Sequence, residues 1–243
     1  MEIAGRVALV TGGGTGIGAA MAADLCQAGA RVMIAGRRAD RLAETVQAIR
    51  ASGGEIAYRP TDVAVPEECA RLVEATVAAY GPVDILVNNA GVVCHGRTIE
   101  EHTVADWDQV MAINLRAAFL LSVAVLPAMR ERRQGFILMV SSDSGINHFR
   151  NQAIYGLSKH GLVELAQFIL AEYAQYNVRA LALCPGLTDT EMGLGFHPTV
   201  PENVLSAKAV AAWARWAISQ PDSMKIAQPL VLSVMRDPFA SAS

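Results

Sequence analysis

The sequence predicts an α/β fold in which one doubly wound parallel sheet carries helices on both faces, in three layers. Six short runs are apolar at nearly every position rather than alternating, which is typical of strands covered on both faces. Helical segments separate the runs, and this alternation favours parallel strands joined by crossovers. The predicted strands are Val7 to Val10, Arg31 to Ala35, Ile56 to Arg59, Ile85 to Asn88, Phe136 to Val140 and Arg179 to Cys184.

The composition restricts the class of protein and of partner. About half of the 243 residues are apolar, as in folded globular chains, and the formal net charge is -3. This charge gives no basic surface for nucleic acid, so we expect a small-molecule partner. No stretch of Pro, Ser or Gly is long enough for an interdomain linker. We therefore predict a single domain over residues 1–243.

The cysteines and the N-terminal segment bear on the compartment. Cys26, Cys69, Cys94 and Cys184 lie far apart without a CxxC pair, so neither a zinc site nor a disulfide framework is expected. The first apolar run begins without a charged leader, which argues against a signal peptide. The longest uncharged run, Val7 to Ala23, is short for a membrane span and holds five glycines. We expect a cytoplasmic protein with no membrane partner.

A glycine-rich turn follows the first predicted strand. The chain reads TGGGTGIG from Thr11 to Gly18 and continues into a helix. Glycines allow a sharp turn and a close approach to a pyrophosphate, and the amides at a helix start attract its charge. No Gly-Lys-Ser/Thr ends the turn, which excludes a kinase-type P-loop. A plain glycine-rich turn is the alternative.

The turn and four further motifs resemble the short-chain dehydrogenase/reductase family. The turn has the spacing TGxxxGxG, Asn88 to Gly91 reads NNAG, and Tyr155 to Lys159 reads YxxxK. Thr61-Asp62-Val63 and Pro185-Gly186 match two more positions, and all five motifs fall in order before about residue 192. The resemblance implies a Rossmann-type fold, a nicotinamide coenzyme and hydride transfer between a carbonyl and an alcohol.

The resemblance also implies a set of coenzyme contacts. Asp62 would accept from the adenine amino group, although an aspartate after a strand also commonly caps a turn. Asn89 to Gly91 would pack against the adenosine ribose, and Thr188 would meet the nicotinamide carboxamide. The implied contacts are Gly12, Thr15, Gly16, Ile17, Gly18, Asp62, Val63, Asn89, Ala90, Gly91, Tyr155, Lys159, Pro185, Gly186, Thr188 and Thr190.

Two arginines after the second strand predict which coenzyme is used. An NAD site of this fold has an acid here for the ribose 2′-hydroxyl, and that acid repels a 2′-phosphate. Gly36 stands in its place, followed by Arg37 and Arg38. A guanidinium suits a phosphate, so we favour NADP(H). NAD(H) is the alternative, with both arginines as solvated helix-start residues.

Tyr155 and Lys159 are four residues apart, so they share one face of a helix. A free tyrosine has a pKa of about 10, and a nearby cation lowers it by favouring the phenolate. The pair therefore predicts Tyr155 as a general acid and base with Lys159 beside it. An ordinary helix surface is the alternative for an isolated YxxxK.

The resemblance completes a catalytic tetrad. Ser142 lies thirteen residues before Tyr155, where the family places the serine that orients the substrate oxygen. Asn114 would hold a water that links Lys159 to solvent, or else is a polar residue satisfied locally. This chemistry needs no metal, and the histidines show no ligand spacing. The sequence allows two positions for His95, His148 and His197, either beside the pocket or in solvated loops.

The segment from Glu191 to Pro201 occupies the place of a substrate lid. Its glycines suggest movement, and Met192, Leu194 and Phe196 suggest an apolar contact with substrate. A surface connection is the alternative. The C-terminal segment from Ala227 to Val234 lacks the glycine-rich ending of the 3-oxoacyl-acyl-carrier-protein reductases, so the substrate stays open.

Two predicted helices, about Trp107 to Arg130 and Ser158 to Tyr176, are apolar around most of their circumference. A helix on a sheet needs only one apolar stripe, so the surplus predicts a homodimer or homotetramer. Tightly packed core is the alternative.

A fold does not establish activity, so a non-catalytic coenzyme sensor is the rival function. The complete tetrad favours the enzyme.

Overall fold

Seven parallel strands form one sheet in the order β3-β2-β1-β4-β5-β6-β9. The computed structural model describes residues 1–196 and 204–233. The strands are β1 (Val7–Thr11), β2 (Arg31–Gly36), β3 (Ile56–Pro60), β4 (Ile85–Asn88), β5 (Gly135–Val140), β6 (Val178–Pro185) and β9 (Leu230–Leu232). Two short strands, β7 (Thr188–Asp189) and β8 (Leu205–Ser206), pair separately. The predicted fold class is confirmed.

Helices connect the strands and cover the sheet. They are α1 (Gly16–Gln27), α2 (Ala39–Ala51), α3 (Pro66–Tyr80), α4 (Val104–Met111), α5 (Ala117–Arg132), α6 (Ala153–Tyr173), α7 (Glu191–Phe196) and α8 (Ala207–Ser219). A π-helical segment, Ala112–Arg116, joins α4 to α5. The helix predicted from Trp107 to Arg130 is thus continuous, but with a π-helical turn that the apolar pattern does not indicate.

The core lies in two layers, one on each face of the sheet. Side chains of α1, α2 and α8 pack on one face, and those of α3, α5 and α6 pack on the other. Alternate residues of a strand point to opposite faces, so in β1 Ala8 and Val10 join the first layer and Leu9 joins the second. Burial on both faces explains why the strands are continuously apolar.

The six predicted strands are found within one residue at either end, and the seventh strand of the sheet was not predicted. This strand, β9, pairs with β6 at the edge of the sheet and has only three residues. A run so short has no readable period, and it lies in the segment that we interpreted only as a C-terminal ending. Its effect is to place Val231 and Ser233 beside the cleft described below.

One helical stretch of the described residues, Val104–Arg132, is long and apolar enough to cross a membrane by length and composition alone. More than half of its most apolar window is buried inside the protein, as is typical of a core helix. The run from Val7 to Ala23 forms β1, the glycine-rich turn and most of α1.

Candidate active site

A cleft of about 830 Å³ opens at the carboxyl ends of the strands. The strand order reverses between β1 and β4, and a sheet of this kind binds its ligands outside the strand ends at such a point. The volume lies within the range of about 300 to 1,000 Å³ that small-molecule and cofactor sites occupy. The cleft is therefore large enough for a coenzyme together with a small substrate.

The glycine-rich turn forms one wall of the cleft. Gly12 and Gly16 have φ angles of 66° and 55°, a left-handed conformation that glycine adopts without strain. A Cβ on Gly18 would lie 2.2 Å from the Gly12 carbonyl oxygen, so Gly18 is required for packing behind the turn and does not line the cleft. The N-terminus of α1 follows at Gly16, so the positive end of its dipole lies at the cleft.

A hydrogen-bond network joins the turn to the end of β4. The Thr11 hydroxyl accepts from the backbone amides of Asn89 and Ala90, both at 3.0 Å. The Asn89 side chain donates to the carbonyls of Thr11 and Gly12 at 2.9 and 3.2 Å. The NNAG motif therefore fixes two neighbouring strand ends relative to each other.

Asp62 and Val63 follow β3 and line the cleft. Asp62 Oδ1 accepts from the Ala64 amide at 3.0 Å, as a turn-capping aspartate does. The alternative given for Asp62, a turn cap, is thus observed, and the cap does not use the second carboxylate oxygen.

Three arginines line the cleft where β2 ends: Arg37, Arg38 and Arg41. Arg41 lies in the first turn of α2 and was not predicted as a cleft residue. It lies three residues after Arg38, a spacing that places two residues on the same side of a helix. Arg38 is paired with Glu191 at 2.8 Å. No carboxylate follows β2 directly, so this end of the cleft carries a local positive charge.

Tyr155 and Lys159 lie on the first turns of α6 and line the cleft. They are almost fully buried, with 7% and 4% of their surfaces exposed. Lys159 Nζ lies 5.6 Å from the centroid of the Tyr155 ring and donates to the Val140 carbonyl at 2.9 Å. The lysine is therefore held by the end of β5 and by the tyrosine together.

Three serines follow β5 and line the cleft, and they differ in their hydrogen-bond partners. Ser141 is buried and donates to the Lys159 carbonyl at 2.8 Å, while Ser144 donates to the Gln152 side chain at 2.9 Å. Ser142 lines the cleft, and its hydroxyl oxygen accepts from the Ser144 amide at 3.2 Å. Its hydroxyl hydrogen is directed to Tyr155, beside the space where a substrate oxygen would lie.

Asn114 lies in the π-helical segment, behind the cleft and almost fully buried. Its amide donates to the Val92 carbonyl and to Ser158 Oγ, both at 2.9 Å, and its oxygen accepts from the Val92 amide at 2.8 Å. Both amide hydrogens of the Asn114 side chain are thus donated to protein atoms. π-Helical turns occur frequently at functional sites.

Burial determines the protonation of the pair. It raises the pKa of Tyr155, and hydrogen bonding with Ser142 lowers that pKa to a smaller extent. Burial also lowers the pKa of Lys159 to about 8. Burial therefore acts against the lowering of the Tyr155 pKa that we expected from the lysine cation, because desolvation outweighs the neighbouring groups. At neutral pH Tyr155 is a neutral phenol beside a cationic lysine.

The remaining predicted contacts also line the cleft. Pro185, Gly186 and Thr188 lie at and after the end of β6. Thr190 follows, and a Cβ on Gly16 would lie 3.0 Å from its methyl group. Thr15, Ile17, Ala90 and Gly91 complete the predicted set.

The predicted lid begins with α7, whose Met192 lines the cleft. The side chains of Leu194 and Phe196, and residues 197–201 with His197, lie outside the described part of the chain. Among the described residues, the cleft lining includes neither His95 nor His148. His148 instead stacks on His160 at 5.1 Å.

One part of the cleft lining was not predicted from the sequence. The loop between β5 and α6 contributes Asp143, Asn147, Phe149 and Gln152 to the lining. No motif marks these residues, and only the loop length before Tyr155 suggests that it covers the site. Within residues 1–196 and 204–233, no group of three or more His, Cys, Asp or Glu side chains is arranged to hold a metal ion.

Comparison with known proteins gives consistent matches. The family model of short chain dehydrogenases matches residues 6–199. An uncharacterized oxidoreductase of Thermotoga maritima is 39% identical over 191 residues, which cover 79% of this chain and 75% of that protein. Levodione reductase has a TM-score of 0.89 with 29% identity, over 95% of this chain and 96% of its own. A variant of actinorhodin polyketide ketoreductase, crystallised with NADPH, has a TM-score of 0.87 with 31% identity, over 96% and 97%.

Proposed function

Because the chain belongs to the short chain dehydrogenase family, we propose that it is an NADP(H)-dependent oxidoreductase that interconverts a carbonyl and a secondary alcohol. The observation that carries the proposal is the buried pair of Tyr155 and Lys159 beside Ser142, in one cleft with the glycine-rich turn. The turn, the helix N-terminus and the arginines fit a phosphorylated dinucleotide. When bound, the coenzyme donates or accepts the hydride.

The protein side chains handle the substrate oxygen and its proton. In reduction, the Ser142 hydroxyl donates to the carbonyl oxygen, and Tyr155 gives that oxygen a proton as charge develops on it. The raised pKa of Tyr155 keeps the phenol protonated for this step. In oxidation Tyr155 acts as the base, and the Lys159 cation favours the phenolate.

Asn114 and Lys159 connect Tyr155 with the interior of the protein. Asn114 bonds Ser158, whose hydroxyl donates to the Tyr155 carbonyl at 2.7 Å, so the π-helical segment fixes the start of α6. We propose that a water at the Asn114 backbone returns protons to Lys159. The protein would act in the cytoplasm on a small-molecule substrate.

The rival is a coenzyme-binding sensor without catalysis. A screen of ketones and alcohols with NADPH and NADP separates the two functions. The enzyme turns over at least one carbonyl or alcohol, and Tyr155→Phe lowers that turnover about 100-fold or more. Stoichiometric binding of NADPH with no turnover across a broad panel would favour the sensor.

We expect Arg37→Ala and Arg38→Ala to weaken binding of NADPH and to leave NADH nearly unaffected. A hydrogen bond to a charged group contributes about 1.5 to 3 kcal/mol, so each loss corresponds to roughly a tenfold to hundredfold change in Kd. Titration calorimetry with both coenzymes measures it. Arg97→Ala is the charge-matched control, because Arg97 pairs with Asp106 at 2.8 Å and does not line the cleft. A preference for NADH that Arg37→Ala leaves unchanged would contradict the assignment.

We also propose a homodimer or homotetramer built on α5 and α6. Leu121, Ile169 and Leu170 are buried within the chain, so part of the apolar circumference is core, as the alternative held. Phe119 and Phe168, however, are 50% and 62% exposed. These exposed rings support a second copy as their cover.

Phe168→Glu is expected to dissociate the assembly, because a carboxylate on α6 would be buried without a partner. Analytical ultracentrifugation at micromolar concentration measures the mass. Val77→Glu on α3 is the matched control, since Val77 is a comparably exposed apolar residue on another helix. A stable wild-type monomer would refute the proposed assembly.

A further inference from the structure

Arg38 and Glu191 both line the cleft and form an ion pair with each other. Arg38 Nη2 donates to Glu191 Oε2 at 2.8 Å, and Nη1 donates to Oε1 at 3.4 Å. The same Nη2 donates to Thr15 Oγ1 at 3.3 Å. Arg38 precedes α2 and Glu191 begins α7, so the pair connects the coenzyme side of the cleft to the predicted lid.

The two charges stabilise each other, but another anion can replace Glu191 as the partner of Arg38. Arg38 lowers the pKa of Glu191, and Glu191 raises the pKa of Arg38. Both side chains are about half exposed, and exposed ion pairs stabilise a fold little. A phosphate carries more charge than a carboxylate and has three acceptor oxygens, so it competes well for a guanidinium.

The neighbouring cations are arranged differently. Arg41 pairs with Glu44 at 3.0 Å, but both belong to α2, and Glu44 does not line the cleft. Among the described residues, no ion pair within 4 Å joins Arg37 to a carboxylate. Among the described residues that line the cleft, Glu191 is thus the carboxylate that forms an ion pair with an arginine at the end of β2.

We propose that Glu191 is a specificity-determining residue, whose carboxylate competes with the coenzyme 2′-phosphate for Arg38. The inference rests on the proposed use of NADP(H). A 2′-phosphate gains Arg38 only when Glu191 releases it, and a carboxylate that stays nearby repels the phosphate. NAD(H) has no 2′-phosphate and meets neither cost. Glu191 therefore narrows the preference for NADP(H) over NAD(H).

The experiment compares two fragments that differ in this phosphate, 2′,5′-ADP and 5′-AMP, by titration calorimetry on the full chain. We expect Glu191→Gln to bind 2′,5′-ADP about three- to fivefold more tightly than the wild type. Binding of 5′-AMP should change less than twofold. The gain should shrink at high salt, because exposed charges are screened.

Asp189→Asn is the matched control. It makes the same change of charge two residues earlier, at an exposed position that does not line the cleft. We expect less than a twofold effect on either fragment. An equal gain in Asp189→Asn would show a general effect of net charge and would overturn the role of Glu191.

The failures of the two proposals are distinguishable. If the wild type and Glu191→Gln each bind both fragments equally, the 2′-phosphate assignment and the Glu191 inference are both wrong. If the wild type prefers 2′,5′-ADP but Glu191→Gln leaves this preference unchanged or weakens it, only the Glu191 inference is wrong. An equal gain for both fragments in Glu191→Gln also overturns it.

Discussion

Tyr155→Phe is expected to lower the rate of carbonyl reduction by a factor of about 10² to 10⁴, while the protein still folds and binds NADPH. The substitution removes one oxygen and keeps the ring that packs near Lys159. The factor corresponds to about 3 to 5.5 kcal/mol of barrier. Steady-state turnover measures the rate, and the fluorescence of bound NADPH measures the coenzyme.

Tyr173→Phe is the matched control for this prediction. Tyr173 lies at the end of the same helix, packs against Tyr176 at 6.2 Å and does not line the cleft. Its variant should keep nearly the full rate. If Tyr155→Phe kept more than about a tenth of the rate while binding NADPH, the proton-transfer role would be wrong.

The fold was predictable because its strands are unusually uniform. Strands such as β1 and β5 are buried at every position, and that burial requires apolar side chains on both faces of the sheet. The edge strand β9 is only partly buried and has three residues, so it carries no such pattern. The π-helical segment at Asn114 was equally hidden, since it keeps the apolar pattern of the helix around it.

The site was predictable where a motif fixes both residue type and spacing. Tyr155 and Lys159 share a helix face because they are four residues apart, and that relation needs no knowledge of the rest of the chain. The pKa of Tyr155 was not predictable, because desolvation depends on β5, α6 and the loop that cover it. The pairing of Arg38 with Glu191 joins positions 153 residues apart, and neither residue marks the other in the sequence.

The burial of a cation in the cleft has a measurable cost to stability. Burial lowers the pKa of Lys159 from its ordinary value of 10.5 to about 8. The unfolded chain therefore binds more protons than the folded protein between about pH 8 and 10.5, and stability from this group rises with pH through that window. Below pH 8 the folded state is destabilised by about 3 kcal/mol, as the difference between the two pKa values requires.

Lys159→Met is therefore expected to stabilise the protein at pH 7 and to inactivate it. Removing the buried charge gains about 3 kcal/mol, and loss of the hydrogen bond to the Val140 carbonyl costs about 1 kcal/mol, which leaves about 2 kcal/mol. Turnover should fall about 10²-fold or more, because the cation that favours the Tyr155 phenolate is gone.

Urea unfolding from pH 7 to 10 measures the stability, with Lys208→Met at an exposed position of α8 as the control. The difference between Lys159→Met and the wild type should shrink as the pH rises above 8, since the wild-type lysine then loses its proton. A difference that stays constant across this range would mean that Lys159 is not held as a desolvated cation, and the account of how it assists Tyr155 would fail with it.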